Sequence, residues 1–154
     1  MLEEIEMREI DEDRARCHNT RAGMIEALKI VQRRRGWISD DVLYELSAHL
    51  GVPPGELDSV ATFYNLIFRK PVGRHRILIC DSVTCWVMGE EDLKRRLSEK
   101  LGIAPGETTR DGRFTLVPNA CLGVCDRAPA IMIDDDLHTG LTPAQLDAIL
   151  GRYE

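Results

Sequence analysis

The spacing of hydrophobic residues along the chain changes near residue 70. In the first part, apolar residues recur three or four positions apart, as in MIEALKIV (24–31), which is the period of an amphipathic helix. In the second part, short continuous apolar runs such as HRILIC (75–80) are typical of buried strands. The segment KPVGRH (70–75) separates the two patterns with a proline and a glycine. We therefore predict a small N-terminal helical bundle over residues 1–70 and an α/β domain over residues 71–154.

Four helices are predicted in the first part of the chain, over residues 3–16, 21–36, 39–51 and 52–70. Gly36 is suited to end the second helix, and Ser39 can cap the third because its hydroxyl accepts a backbone hydrogen bond. The stretch from Val60 to Phe68 is apolar on almost all sides. We expect it to be buried inside this chain or against another one.

The second part predicts the order strand, helix, strand, strand, helix, over residues 75–80, 89–102, 113–118, 130–134 and 141–153. Thr142 and Gln145 form a capping box at the last helix. A parallel crossover followed by an antiparallel pair and a covering helix predicts an α/β fold of thioredoxin-like type. Pro129 stands before the last strand, where such folds often place a cis-proline.

Composition and charge exclude several classes of protein. Hydrophobic residues make up 44% of the chain and charged residues 30%, so a packed core is expected. The net charge of −6 is spread evenly, since residues 1–70 and 71–154 each carry 10 basic and 13 acidic side chains. No basic region is available for phosphates, so we expect no nucleic-acid binding.

No apolar run reaches the roughly 20 residues that a membrane-spanning helix needs. The acidic N-terminal segment is interrupted by charges and does not resemble a signal or transit peptide. We therefore expect a cytoplasmic protein without direct membrane insertion. Structural disulfides are rare in that compartment, so clustered cysteines there indicate metal binding or catalysis.

Four of the five cysteines form two pairs, each directly after an apolar strand candidate. Cys80 and Cys85 follow the pattern C-x4-C, Cys121 and Cys125 follow C-x3-C, and 35 residues separate the pairs. If both loops leave the sheet at one end, four thiolates can surround a common point. Structural zinc usually uses C-x2-C pairs, and thioredoxin-type redox sites use C-x-x-C. An iron–sulfur cluster takes four thiolates with more permissive spacing, although the plant-type ferredoxin pattern is not matched.

From the spacing alone, an iron–sulfur cluster, a zinc ion and thiol–disulfide chemistry all stay open, and the surroundings favour the cluster. Gly123 lies between the second pair, where it can turn backbone N–H groups toward sulfur. Nearby apolar side chains are expected to limit access of water, and these are Val83, Trp86, Val87, Leu122 and Val124. Trp86 is expected to belong to the ordinary core.

Six segments in order resemble the family of the E subunit of bacterial NADH-quinone oxidoreductase, which includes the 24 kDa subunit of mitochondrial complex I. The segments are GWISD (36–40), SVATFYNLIFRKPVGRH (59–75), CDSVTCW (80–86), LGIAPGETTRDGRFTL (101–116), CLGVCDRAP (121–129) and LTPAQLDAIL (141–150). The resemblance runs from about residue 20 to the C-terminus.

This resemblance implies a helical bundle followed by a thioredoxin-like ferredoxin domain with one [2Fe–2S] cluster. The implied ligands are Cys80, Cys85, Cys121 and Cys125. The first pair is expected on one iron and the second pair on the other. The main partner implied is the flavin-binding, NADH-oxidising subunit of the 51 kDa type (the F subunit), whose FMN exchanges single electrons with the cluster. The NADH and FMN sites belong to that partner, which agrees with the lack of a G-x-G-x-x-G motif here. Further peripheral-arm subunits and a place on the cytoplasmic face of the inner membrane are also implied.

Other residues that attract attention are expected to have ordinary roles. Cys17 lies outside both pairs and is expected not to be a ligand, and the four histidines share no spacing with the cysteines. The acidic segment IDDDLH (133–138) is expected to be a solvated turn. The helix around VATFYNLIF is expected to pack the bundle onto the ferredoxin domain, to present Phe63, Tyr64 and Phe68 as part of the docking face for the flavoprotein, or to do both.

Two alternative functions stay open. Related subunits serve the diaphorase modules of bidirectional hydrogenases and NAD-dependent formate dehydrogenases, where the cluster is the same and the assembly differs. An interaction module stabilised by zinc is the alternative from another class, because four thiolates also suit that metal.

Overall fold

The computed structural model describes residues 1–153 and divides into two compact units, Met1–Pro71 and the chain from Val72 onward. This boundary falls one residue after the one drawn from the sequence pattern. Among the described residues, no helix is both long enough and apolar enough to cross a membrane.

The first unit contains the four expected helices, α1 (Glu4–Arg14), α2 (Met24–Arg35), α3 (Asp40–Leu50) and α4 (Pro54–Phe63). Their apolar faces form one core in which Leu28, Leu46 and Leu57 are fully buried. Ser39 caps α3 by accepting a hydrogen bond from the Val42 N–H, as predicted. The helical period in the sequence therefore identified this bundle correctly.

The segment Val60–Phe68, expected to be buried inside this chain or against another one, is only partly buried within the chain, at Ala61 and Ile67. Helix α4 ends at Phe63, whose side chain is 80% exposed, and a turn follows in which the Ile67 N–H donates to the Tyr64 carbonyl at 3.0 Å. The cause is Gln32 on α2, whose side-chain amide donates to the Leu66 carbonyl at 2.7 Å and accepts from the Phe68 N–H at 2.6 Å. These bonds replace the ones that a longer helix would make. Burial against another chain stays a prediction.

A buried ion pair attaches α1 to α2. The Glu6 side chain is fully buried and accepts two hydrogen bonds from the Arg35 guanidinium, at 2.7 and 2.6 Å. Burial by itself raises the pKa of Glu6, but the bonds from Arg35 and from the Glu3 N–H outweigh it and lower the pKa below its ordinary 4.5. The resulting stabilisation is present above the pKa of the unfolded chain and is lost as the pH falls through the lower folded-state pKa.

The second unit is a four-stranded sheet covered by helices. Its strands are β1 (His75–Cys80), β2 (Phe114–Asn119), β3 (Ala130–Ile133) and β4 (Asp136–Thr139), in the spatial order β2-β1-β3-β4. Strand β1 pairs in parallel with β2 and antiparallel with β3, which in turn pairs antiparallel with β4. Its helices are α5 (Val83–Val87), α6 (Glu90–Leu101) and α7 (Leu146–Leu150), with 3-10 turns at Cys125–Arg127 and Pro143–Gln145.

Alternate residues of β1, β2 and β3 face the core helices. Ile77 and Ile79 of β1 are fully buried, in one cluster with Leu93 of α6 and Leu146 of α7. Leu78 points to the other face and is also buried, so β1 is covered on both sides. A strand buried on both faces explains the continuous apolar run that identified it in the sequence.

Strand β4 was missed by the sequence analysis, which expected a solvated turn over residues 133–138. The turn is confined to Asp134 and Asp135, after which the chain pairs with β3. Asp134 has a positive φ of 52°, and its carboxylate contacts His75 Nδ1 at 2.7 Å and accepts from the Arg76 N–H at 3.0 Å. These contacts attach the turn to the start of β1.

Gly73 lies where the chain enters the sheet. Its N–H donates to Thr115 Oγ1 at 2.6 Å, and a Cβ atom added to it would lie 2.8–2.9 Å from backbone atoms of Phe114. Glycine is therefore required here by the close approach of two backbone segments.

We expect Arg35→Met to lower the free energy of unfolding by about 3 kcal/mol, because Glu6 would remain buried without its cation. Arg33→Met serves as the control, since Arg33 lies in the same helical turn with its side chain 64% exposed. That change is expected to cost less than about 0.5 kcal/mol. Urea unfolding monitored by circular dichroism measures both, and equal effects would contradict the importance of the buried pair.

Candidate metal centre

The sheet topology brings the two cysteine loops to the same edge. Strand β1 ends at Cys80 and is paired there with Asn119, the last residue of β2. Because β1 lies between β2 and β3 in the sheet, the loop 120–129 must pass over the end of β1 to reach β3. The second cysteine pair is thereby carried past Cys80.

The first loop is short and largely helical. Cys80 is the last residue of β1, and Cys85 lies within α5 with its side chain only 1% exposed. Burial raises the pKa of Cys85 to about 11, and the hydrogen bond with Cys80 and the nearby Cys80 and Cys125 thiols act in the same direction. The N–H of Ala130 opposes this shift. Cys85 is thus in contact with Cys80 and within electrostatic range of the second loop.

The second loop is irregular and its thiols are exposed. Gly123 has a φ of 76°, and its N–H donates to Cys121 Sγ at 3.3 Å, which confirms the expected role of this glycine. Cys125 begins the 3-10 turn that leads to Pro129, and the Ala128–Pro129 bond is cis, as expected. A positive φ is a backbone conformation that glycine adopts at low steric cost, and here it directs the chain that follows this N–H toward Cys125.

Asn119 is a contributor that the sequence analysis missed. Its side-chain amide donates to the Cys121 carbonyl at 2.9 Å, and its own carbonyl accepts from the Asp81 N–H at 2.8 Å. It therefore contacts the beginning of each cysteine loop. The available signal was an asparagine directly after a strand and two residues before a cysteine, a position where its side chain favours a turn.

The four thiols share one edge of the sheet without converging on a single point. Cys80, Cys85 and Ala128 form a small buried cluster with Leu122 packed against it. Within residues 1–153, no three His, Cys, Asp or Glu side chains are arranged so that they could hold a metal ion as they stand. The donor set nevertheless fits a sulfur-ligated group, since four thiols, an N–H directed at sulfur and an apolar backing occur together. The ligand set stays a prediction.

The expected apolar wall is only partly present. Leu122 and Val124 are half-buried, whereas Val83, Trp86 and Val87 are more than half exposed, so the assignment of Trp86 to the core is wrong. The reason is that α5 buries Cys85 and turns Val83, Trp86 and Val87 outward. Met88, also exposed, extends this surface. We call residues 83 and 86–88 the α5 patch.

Cys17 belongs to the first unit, where its thiol lies 3.9 Å from Asp13 Oδ2. His75 and His138 lie in the second unit and contact Asp134 and Tyr153. His75 begins β1, whereas the cysteine loops leave from the other end of this strand. The expectation that Cys17 is not a ligand stays a prediction.

Comparison with known proteins agrees with this fold and donor set. The family described as "Thioredoxin-like [2Fe-2S] ferredoxin" matches residues 10–154. The chain therefore belongs to this family, and the predicted thioredoxin-like fold class is confirmed.

Full-length relatives carry a more specific name. The chain is 47% identical over 153 residues to the E subunit of NADH-quinone oxidoreductase from Escherichia coli (strain K12), covering 99% of this chain and 92% of the relative. It is 46% identical to the protein of the same name from Pseudomonas aeruginosa, with the same coverage. The resemblance found in the sequence segments is confirmed.

A solved structure shows the same fold in another assembly. A crystal structure of an NAD+-reducing [NiFe]-hydrogenase in its air-oxidized state matches with a TM-score of 0.70 and 32% sequence identity. The match covers 84% of this chain and 22% of the hydrogenase chain, so this chain spans about a fifth of the chain that it matches.

The unequal burial of the thiols predicts unequal reactivity in the metal-free chain. With a pKa of about 11, Cys85 is thiolate to about one part in a thousand at pH 8, a fraction that rises about tenfold per pH unit below the pKa. Iodoacetamide at pH 8 should therefore modify the exposed Cys121 and Cys125 first and Cys85 last. Peptide mass spectrometry measures the order, with urea-unfolded chain as the control. Early alkylation of Cys85 would contradict the described geometry.

Proposed function

We propose that this chain is the electron-transfer subunit of the NADH dehydrogenase module of a bacterial NADH-quinone oxidoreductase, an assembly in which this chain alone has no turnover. The observation that carries the proposal is the meeting of two cysteine loops at one edge of a thioredoxin-like sheet. The full-length relatives, which are E subunits of NADH-quinone oxidoreductases by name, support the same assembly.

In this proposal Cys80, Cys85, Cys121 and Cys125 hold one [2Fe–2S] cluster. When bound, the cluster supplies one-electron transfer, because it accepts or releases a single electron at a time. The chain's own residues provide the ligands, an N–H donor at Gly123 and the apolar side of Ala128 and Leu122. Hydrogen bonds to sulfur and burial are the features by which a protein sets the reduction potential.

The partner proposed for this electron exchange is the flavin-binding, NADH-oxidising subunit, which holds both FMN and NADH. This chain has no dinucleotide-binding G-x-G-x-x-G motif of its own. The α5 patch supports docking near the thiols, because it exposes Val83, Trp86, Val87 and Met88 on the helix that carries Cys85. Exposed tryptophan and methionine are enriched in protein interfaces. Electrons would then enter beside the first cysteine loop.

We further propose that the assembly lies on the cytoplasmic face of the inner membrane, as part of a peripheral arm with additional subunits. The lack of a membrane-spanning helix in residues 1–153 is compatible with such a place.

A second assembly has specific support from the hydrogenase structure, whose matching region has the same fold at 32% identity. In that alternative, the chain serves an NAD+-reducing hydrogenase module with the same cysteines and the same electron transfer. Affinity purification of the tagged chain from its own cells distinguishes the two, because one assembly brings quinone-reducing membrane subunits and the other a nickel–iron subunit.

The cluster itself is tested by measuring iron, acid-labile sulfide and the visible spectrum before and after dithionite. We expect two irons and two sulfides per chain from [2Fe–2S] stoichiometry. Cys125→Ala should lose most of the iron and the visible absorption, because one iron is left under-ligated, while Cys17→Ala should leave both unchanged. A colourless chain with one zinc would support the zinc-stabilised module instead, and bleaching of Cys17→Ala would overturn the ligand assignment.

The docking surface is tested with a matched pair of exposed residues. Trp86→Gln should weaken binding to the FMN-loaded flavoprotein subunit by at least about tenfold, since buried interface tryptophans often contribute about 2 kcal/mol or more. Leu137→Gln removes an exposed apolar side chain from β4 and should change binding by less than about twofold. Surface plasmon resonance measures both, and equal effects would place the interface elsewhere.

A further inference from the structure

Glu90 is a buried carboxylate beside the first cysteine loop. It begins α6 directly after Gly89, and only 1% of its side chain is exposed. Neither carboxylate oxygen has a hydrogen-bond partner among the described residues. A buried ionised carboxylate is unfavourable unless a positive group compensates it.

Lys94, one helical turn later, supplies that positive charge. Its Nζ forms ion pairs with Glu90 Oε1 at 3.1 Å and with Asp81 Oδ1 at 3.9 Å. The carboxylate of Glu90 raises the pKa of Lys94, so the ammonium form is maintained. The positive end of α6 also favours an acid at this position.

The three residues span the first cysteine loop. Asp81 directly follows Cys80, and Glu90 lies five residues after Cys85, so Lys94 contacts acidic groups at both ends of the segment that carries Cys85. Ion pairs of Lys94 therefore connect α6 to both ends of the first cysteine loop.

We infer that Glu90 and Lys94 are positioning residues that fix the first cysteine loop and set the reduction potential of the sulfur-ligated group held by its thiols. This inference rests on the proposed function, because it concerns the same site. Neither residue touches the electron-transfer partner in this proposal. Their effect is exerted through the loop geometry and through the local electric field.

The field has a definite sign. A [2Fe–2S] group with four thiolates is an anion that gains one further negative charge on reduction. A nearby ammonium therefore favours the reduced form and raises the potential, while a nearby carboxylate lowers it. The effect of Glu90 is weakly screened because its side chain is buried, whereas Glu91 in the same turn is exposed to solvent.

The experiment compares redox titrations of the full chain with its bound cluster, monitored by electron paramagnetic resonance. The variants are Glu90→Gln, Lys94→Gln, the double variant and the conservative Lys94→Arg. Glu91→Gln is the matched control, since it removes the same charge from an exposed position. Iron and sulfide content and circular dichroism of each variant are measured alongside.

We expect Lys94→Gln to lower the midpoint potential and Glu90→Gln to raise it. Each shift should change the ratio of reduced to oxidised cluster at a fixed potential by roughly three- to tenfold, where tenfold equals about 59 mV for one electron. The double variant should lie near the wild type, because the two charges cancel. Lys94→Arg should retain the wild-type potential, and Glu91→Gln should shift it less than Glu90→Gln.

The outcomes separate the two proposals. A wild-type chain without iron and sulfide would overturn the proposed function itself. If the wild-type chain has a normal cluster but Glu90→Gln and Lys94→Gln leave its midpoint potential unchanged, this inference alone is overturned. The same holds if these two variants shift the potential in the same direction, or if Glu91→Gln shifts it as much as Glu90→Gln does. If Glu90→Gln does not fold or does not bind the cluster, the Lys94 variants test the inference. A Lys94→Arg variant whose midpoint potential differs from that of the wild type would overturn the inference.

Discussion

Six residue pairs join β1 to β2 in parallel, from His75 opposite Phe114 to Cys80 opposite Asn119, and the candidate site depends on this register. Parallel pairing places the ends of both strands at one edge, so two loops far apart in sequence begin side by side. The antiparallel pairing of β1 with β3 then requires the second loop to cross the end of β1. The meeting of the cysteine loops therefore follows from backbone hydrogen bonding in the sheet.

Around this edge, the two loops have different physical character. The first is helical, buries both of its thiols and is attached to α6 through charges, whereas the second is irregular, exposes its thiols and relies on Gly123 and Asn119 for local bonds. The burial that shields the first pair also raises the pKa of Cys85. The first loop is thus the more buried and the more firmly attached, whereas the thiols of the second loop are accessible to solvent.

Much of this arrangement was predictable from the sequence, because local patterns determine it. The apolar run of β1 identified a strand buried on both faces, and the glycine between the second cysteines identified a donor to sulfur. Spacing alone left iron–sulfur, zinc and thiol chemistry open, and the family resemblance added the predictions of a [2Fe–2S] cluster and of a flavoprotein partner. The division near residue 70 followed from the change in hydrophobic period and from Pro71 and Gly73.

Features that depend on contacts distant in sequence were not predictable. The apolar segment after Val60 leaves the helix because Gln32, from another helix, bonds its backbone. Trp86 is exposed because a five-residue helix has room to bury little beyond Cys85, and β4 carries too few apolar residues to show a strand pattern.

Gly73 has a consequence for protein engineering. A single methyl group there would collide with the backbone of Phe114 and displace the start of β2, roughly 20 Å along the sheet from the thiols. Libraries that vary the cysteine loops should therefore leave this remote position unchanged, since a displaced β2 would alter the spacing of the two loops.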